Sequence, residues 1–442
     1  MTNTRKALLL ACLLPAFVVA WGGILSYHTI VGVPDQDVTE YWQKSMLVLG
    51  GHVPYRDFVL EYPILSLIPM LLPHLLTLGH ATSFPAYAAA FLTENILLAA
   101  ALGATLAAIA IRLKSQLHNR TAIPTTVAPA TEVTAQRAQS RPASTPGAGT
   151  QLPLKLGDID AGAVISTVAK NYAIMLACTA VVAPWRFDLF VALLTALAIL
   201  ALARQRDGAS GALLAAGVLA KLYPAVLLPA FVRVSNRRAT FWVIFAIPAA
   251  AIALAAAGIA GPKQSISFLS YHALRGIQIE SVAAGVVYLL HAMHVTSLGL
   301  VYNFGAYHLA FPAASMVIKL LTVALAVLFS IAVVVIARSR QVDAVDFLPR
   351  SGALLLLAFI VASKVFSVQY TIWLIPFAVF FKDKSLEKRC LMTLFALTAA
   401  EMIAYAGLIH FDVASILILN ARNVAAVVCY VVLATSLRRP LA

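Results

Sequence analysis

Residues 188–234, DLFVALLTALAILALARQRDGASGALLAAGVLAKLYPAVLLPAFVRV, contain three apolar runs in close succession. The runs 188–203, 209–220 and 222–234 are divided by Arg204-Gln205-Arg206-Asp207 and by Lys221. Alanine and leucine dominate them, and these are among the strongest helix formers. No run shows the two-residue alternation of a barrel strand. Each is shorter than the roughly 20 residues that a lone membrane span requires. Such runs are stable only as partial-length helices packed among other helices around a cavity.

The remainder of the 442-residue chain has the same character, with 61% hydrophobic and 11% charged residues. Soluble domains have roughly 45–50% apolar and 25% charged residues. The composition predicts an all-α polytopic membrane protein of about twelve spans. Those outside the opening stretch are 7–29, 84–112, 161–182, 239–259, 313–337, 351–364, 369–382, 389–410 and 414–436. With the N-terminus inside, 22 of the 32 Lys and Arg fall on the cytoplasmic side, seven outside and three within spans. This bias places both termini in the cytoplasm. The run from Ile64 to Leu78 is excluded as a span, because counting it would put the basic stretch Arg112–Lys155 outside; an interfacial helix is expected there.

The chain is expected to form one membrane-embedded domain over residues 1–442. Residues 113–160, rich in Ala, Thr, Pro, Gln and Ser, are expected to be a disordered cytoplasmic linker. Leu9-Leu10-Ala11-Cys12 loosely resembles a lipoprotein cleavage site, but the apolar run continues unbroken to about Tyr27, so an uncleaved first span is expected. Cys12, Cys178, Cys390 and Cys429 show no paired spacing and indicate neither a disulfide framework nor a zinc site. The formal charge of +14 is distributed between apolar spans and lacks the basic domain with interleaved aromatics of a nucleic-acid binder.

Chemistry-bearing residues concentrate in the external segments. The first, residues 32–65, carries Asp35, Asp37, Glu40, Asp57 and Glu61 among Tyr41, Trp42, Tyr55, Phe58 and Tyr62. Aromatic rings favour the membrane interface. A carboxylate held there reaches hydroxyls at the lipid surface. For Asp35, Glu40 and Asp57 taken singly, ordinary solvated acids are the simpler expectation. Lys221 stands in Lys-Leu-Tyr-Pro between two apolar runs, and an ionisable group at that depth points to a phosphate ligand as readily as to a snorkelling side chain. The segment 260–312 carries His272, Arg275, Gln278 and Glu280, and its continuation 281–294 is expected to form a second interfacial helix. Arg186 and Asp188, Lys364, Gln369 and Tyr370, and Arg422 all fall toward the same side or depth. Glu94 and Glu401 lie inside spans without an assigned role.

The ordered set Asp37-x-x-x-Tyr41, Pro54-Tyr55-Arg56-Asp57-Phe58, Glu61-Tyr62-Pro63, Arg186-Phe187-Asp188, Lys221-Leu222-Tyr223-Pro224, Arg275-Gly276 with Gln278 and Glu280, and Gln369-Tyr370 resembles the polyprenyl-phosphate-sugar-dependent glycosyltransferases of the C-type superfold. The resemblance is to family 87, which includes the mannosyltransferase of phosphatidylinositol-mannoside synthesis, and it runs from residue 37 to 370. Two neighbouring positions depart from it: Ile64 where a second proline is usual, and Val368 where a proline usually precedes Gln-Tyr. The resemblance implies inverting transfer at the outer face, with Asp37 as general base, a polyprenyl-phosphate sugar donor and a lipid or glycan acceptor. It further implies that Tyr41, Tyr55, Arg56, Asp57, Glu61, Tyr62, Arg186, Asp188, Tyr223, Gln278, Glu280, Gln369 and Tyr370 build the substrate site; Lys221 and Arg275 are the cations expected to neutralise the leaving phosphate, and His272 and Lys364 are further candidates for that site. No cofactor is expected; a divalent ion bridging Asp37 and phosphate is compatible but not indicated. The rival expectation is a secondary transporter or lipid-linked sugar flippase, against which stand the long charged external segments and the lack of an internal repeat.

Overall fold

The computed structural model describes residues 3–32, 37–121, 160–339 and 346–438. It is helical throughout, apart from one small sheet. Among the described residues, six helices have the length and apolarity to cross a membrane: Asn3–Val31, Phe84–Gln116, Arg238–Ala260, Ala314–Arg338, Leu386–Ile409 and Val413–Ser436. Arg238–Ala260 and Ala314–Arg338 expose most of their surface, including Trp242, Ile247, Leu254, Leu320, Val323 and Val327. Large apolar faces of this kind are tolerated where hydrocarbon is the surrounding medium. The fold is that of an all-α membrane protein.

Six other predicted spans appear as shorter helical segments: Ala161–Ala177, Asp188–Ala203, Asp207–Ala220, Tyr223–Val234, Phe347–Ala362 and Val368–Ala378. At about 1.5 Å per residue, 16 residues reach only about 24 Å. Their environment explains why they are stable. Asp188–Ala203 lies between the helix Phe84–Thr121 and Asp207–Ala220, and Phe347–Ala362 lies between Ala314–Arg338 and Val413–Ser436. Both are buried along most of their length, so protein rather than lipid surrounds them.

Small residues set the closest approaches. A Cβ on Gly103 would lie 1.8 Å from the Ala11 carbonyl oxygen, and one on Gly211 would lie 2.5 Å from that of Phe241. Glycine at these positions lets neighbouring helices pack backbone to backbone. The helix beginning at Phe84 continues to Thr121, so the first residues of the expected linker are helical; the rest of that linker, 122–159, lies outside the described residues.

Helices do form at both places where interfacial helices are expected, over Ile64–Leu76 and Val282–Ala292. On either side of Val282–Ala292 in sequence lie the strands of a feature absent from the sequence expectation, a three-stranded antiparallel sheet. Its strands are β1 (Ile277–Gln278), β2 (Gly299–Asn303) and β3 (Ala306–Ala310), in the order β1-β3-β2. Phe304 and Gly305 close the β2–β3 hairpin, both at positive φ (50° and 67°), the backbone that a two-residue turn between twisted strands requires. The sheet rests on Ile279, Tyr288, Leu309, Leu408 and Ile416, a small core separate from the main one.

Candidate functional site

A cavity of about 640 Å³ lies where the acidic segment that begins at Asp37, the sheet and the turn before Gln369 converge. That volume falls within the roughly 300–1,000 Å³ of small-ligand sites. Ten predicted site residues line it: Asp37, Glu61, Tyr62, Arg186, His272, Arg275, Gln278, Glu280, Gln369 and Tyr370.

Asp37 opens the helix Asp37–Leu49, and its Oδ2 is in tight ion contact with Arg186 Nη1. Arg186 Nε donates to Gln369 Oε1 at 2.7 Å. One guanidinium thus joins three of the motifs. Arg275 differs from Arg186: it makes no ion pair among the described residues, and its Nε is buried without a hydrogen-bond partner. It is the uncommitted cation of the cavity. Beside it, burial and the Arg275 charge push the His272 imidazole down to about 4, so the ring is neutral at pH 7.

Glu280 is buried between Gln278, whose side-chain amide donates to its Oε2, and the Val368 backbone N–H, which donates to its Oε1 at 3.3 Å. A proline at 368 has no N–H to give. The departure from the family pattern therefore supplies a ligand to the Glu280 carboxyl. Burial, followed by the Glu401 charge, pushes the proton affinity of Glu280 above the usual carboxylate range.

Fully buried Arg422 lies behind this wall and outside the cavity. Its Nη2 donates to the Glu280 carbonyl oxygen, and its Nη1 donates to the Phe366 carbonyl oxygen at 3.2 Å. It positions the two chain segments that carry Gln278–Glu280 and Gln369–Tyr370. Glu401 approaches Arg422 Nη1 at 3.8 Å.

Eight predicted residues stand elsewhere. Lys221, expected as a phosphate ligand, does not line the cavity: its Nζ donates to both oxygens of Asp188, at 2.8 and 2.9 Å. The pair sits behind Tyr62 in an aromatic enclosure, with Nζ 4.9 Å from the Phe187 ring centroid and 5.6 Å from those of Tyr62 and Trp373. Trp373 Nε1 also donates to Asp188, and Tyr223 stacks on Trp373 at 4.2 Å. A buried ammonium with an aligned carboxylate partner is a packing anchor.

Tyr41 is buried against Phe91 and Phe187. The Tyr55 hydroxyl donates to the Tyr62 carbonyl oxygen at 2.7 Å, fixing the turn that presents Glu61. Arg56 and Asp57 pair with each other on the protein surface, where Arg56 holds the Asp57 carboxyl down at about 2. Lys364 Nζ donates to the Ala273 carbonyl oxygen at 2.7 Å, tying down the segment before Arg275. Asp35 lies outside the described residues.

Glu40 is the principal addition. Treated from sequence as a plain surface acid, it lines the cavity one turn after Asp37. Its carboxylate shares Lys44 with Glu61, at 3.4 and 3.1 Å respectively. Burial and the neighbouring Glu61 charge push its pKa up to about 7. Its i+3 spacing from Asp37 was a visible signal, since such residues share a helix face. Tyr271, Tyr307 and Tyr405 add to the polar lining, and Leu25, Ile30, Val181 and Met402 supply apolar lining.

No group of three or more His, Cys, Asp or Glu side chains among the described residues is arranged to hold a metal ion. Comparison of the chain with protein-family models, with curated proteins and with solved structures returned no match.

Proposed function

We propose that this chain is a membrane-embedded glycosyltransferase. It moves a sugar, mannose in the family it resembles, from a polyprenyl-phosphate donor to a lipid or glycan acceptor, with inversion, at the outer face of the cell membrane. In this reading the six shorter apolar segments complete a twelve-span arrangement with both termini inside. One observation carries the proposal: a single cavity combines carboxylates, an uncommitted guanidinium at Arg275 and apolar lining residues. Those are the needs of a hydroxyl acceptor, an anionic leaving group and a lipid chain.

The chemistry follows from the charges. Asp37 takes the proton of the acceptor hydroxyl as its oxygen attacks the anomeric carbon. The bond from that carbon to the phosphate oxygen breaks, and the lipid phosphate departs as a stable anion. Arg275 neutralises it, so no strong general acid is needed. Neutral His272 and the amide of Gln278 serve as hydrogen-bonding partners for sugar hydroxyls.

The test is reconstitution of the purified protein in liposomes with radiolabelled polyprenyl-phosphate mannose and an extract of membrane-lipid acceptors. Wild type is expected to label a glycolipid. Asp37→Asn is expected to fold and lose about 10²–10⁴-fold in rate, the usual contribution of a general base. Full activity in Asp37→Asn would move the base elsewhere; no transfer by wild type with any of a panel of lipid-linked sugars would sink the proposal.

A further inference from the structure

The Asp37 proton has no stable resting place where it is first taken up. Asp37 and Arg186 form a neutral pair, and protonating Asp37 strands a partly buried guanidinium beside a neutral carboxyl. One turn away the balance is the reverse. Glu40 and Glu61 share the single ammonium of Lys44, so the trio carries one excess negative charge and becomes neutral on gaining a proton. Protonated Glu40 can donate a hydrogen bond to Glu61, which faces it. Asp37, Glu40 and Glu61 all line the same cavity, and Asp37 and Glu40 lie three residues apart on one helix, the spacing that puts side chains on a common face.

We propose that Glu40 and Glu61, bridged by Lys44, form a proton-accepting pair that draws the acceptor-hydroxyl proton from Asp37 and releases it to solvent. The inference rests on the glycosyl-transfer reading for the source of the proton. The step balances: the acceptor O–H bond breaks, the proton passes from Asp37 to Glu40, Asp37 regains its ion pair with Arg186, and Glu40 later returns the proton to water. No redox partner is involved. The groups facing Glu40 are Asp37 and Lys44 on its own helix, Glu61 from the turn that follows, and Tyr271 from the helix Ser267–Leu274, with Arg275 beyond it. Lys44 is the cation that limits how tightly the pair holds its proton.

Two measurements on the full-length protein in lipid test the pair, one of them independent of turnover. In pH-difference infrared spectroscopy, wild type is expected to show a carboxyl group titrating near neutrality. Glu40→Gln should abolish that signal, and Lys44→Gln should move it to higher pH. In the transfer assay, Glu40→Gln should lose about 10-fold or more, less than Asp37→Asn, and flatten the acid limb of the pH profile. Lys44→Gln should shift that limb upward, as Glu61→Gln shifts it downward. Absence of the titrating carboxyl in wild type, its persistence in Glu40→Gln, or an unchanged pH profile would overturn the pair. A normal infrared titration with no transfer from any donor would instead remove the glycosyl-transfer reading and leave the pair as a proton-binding group.

Discussion

Lys221 shows how far one residue's role depends on its partner. A lysine between two apolar runs is legible as unusual, but Asp188, 33 residues earlier, decides what it does. Replacing Lys221 with Met leaves the Asp188 carboxylate buried with only the Trp373 indole for company. That should destabilise the protein by about 3–5 kcal/mol, whereas Lys221→Met combined with Asp188→Leu should recover most of the loss. Unfolding midpoints in nanodiscs measure both. A stable double variant that no longer binds donor would restore Lys221 to the substrate site. Other site residues were legible because their chemistry suits the place whatever the fold around them. Asp37, Arg186 and Gln369 are polar side chains beside apolar runs, and they meet. For Glu40 only the spacing from Asp37 was legible; its burial and its approach to Glu61 depend on the tertiary fold.

At the scale of elements, close helix approach is the most exposed to error. Gly103→Val drives a side chain into the Ala11 carbonyl, so the first helix must separate from the helix Phe84–Thr121. The expected loss is at least the about 1–3 kcal/mol of ordinary overpacking. Gly258→Val, where nothing lies within 4 Å of the added carbon, should leave the unfolding midpoint unchanged and serves as the control. Apolar length and composition were enough to locate the long apolar helices but not the polar helix Asp37–Leu49. They did not reveal the hairpin, whose five-residue strands are too brief to establish an alternation and whose turn is Phe304-Gly305 rather than Asn-Gly. The shorter helices were visible as apolar runs, but their number of crossings was not, since a buried helix need not match the thickness of the membrane.

For the whole molecule, the distribution of basic residues predicts sidedness. In a variant with its four native cysteines replaced by serine, a cysteine at exposed position 80 should react with an impermeant maleimide added outside intact cells. One at exposed position 206 should react only after the membrane is breached. Equal labelling at both positions would refute the orientation and move the cavity to the cytoplasmic face.

Arg422 adds a constraint of time to this arrangement. It belongs to Val413–Ser436, the last helix of the described chain, yet it holds the carbonyls of Glu280 and Phe366 in the walls of the cavity. During synthesis, the acids and cations of the site are threaded into the bilayer long before the group that aligns them has left the ribosome. The cavity therefore takes its shape only after residue 422 has been made, and a nascent chain carrying nearly all of its polar lining still lacks the clamp that aligns it.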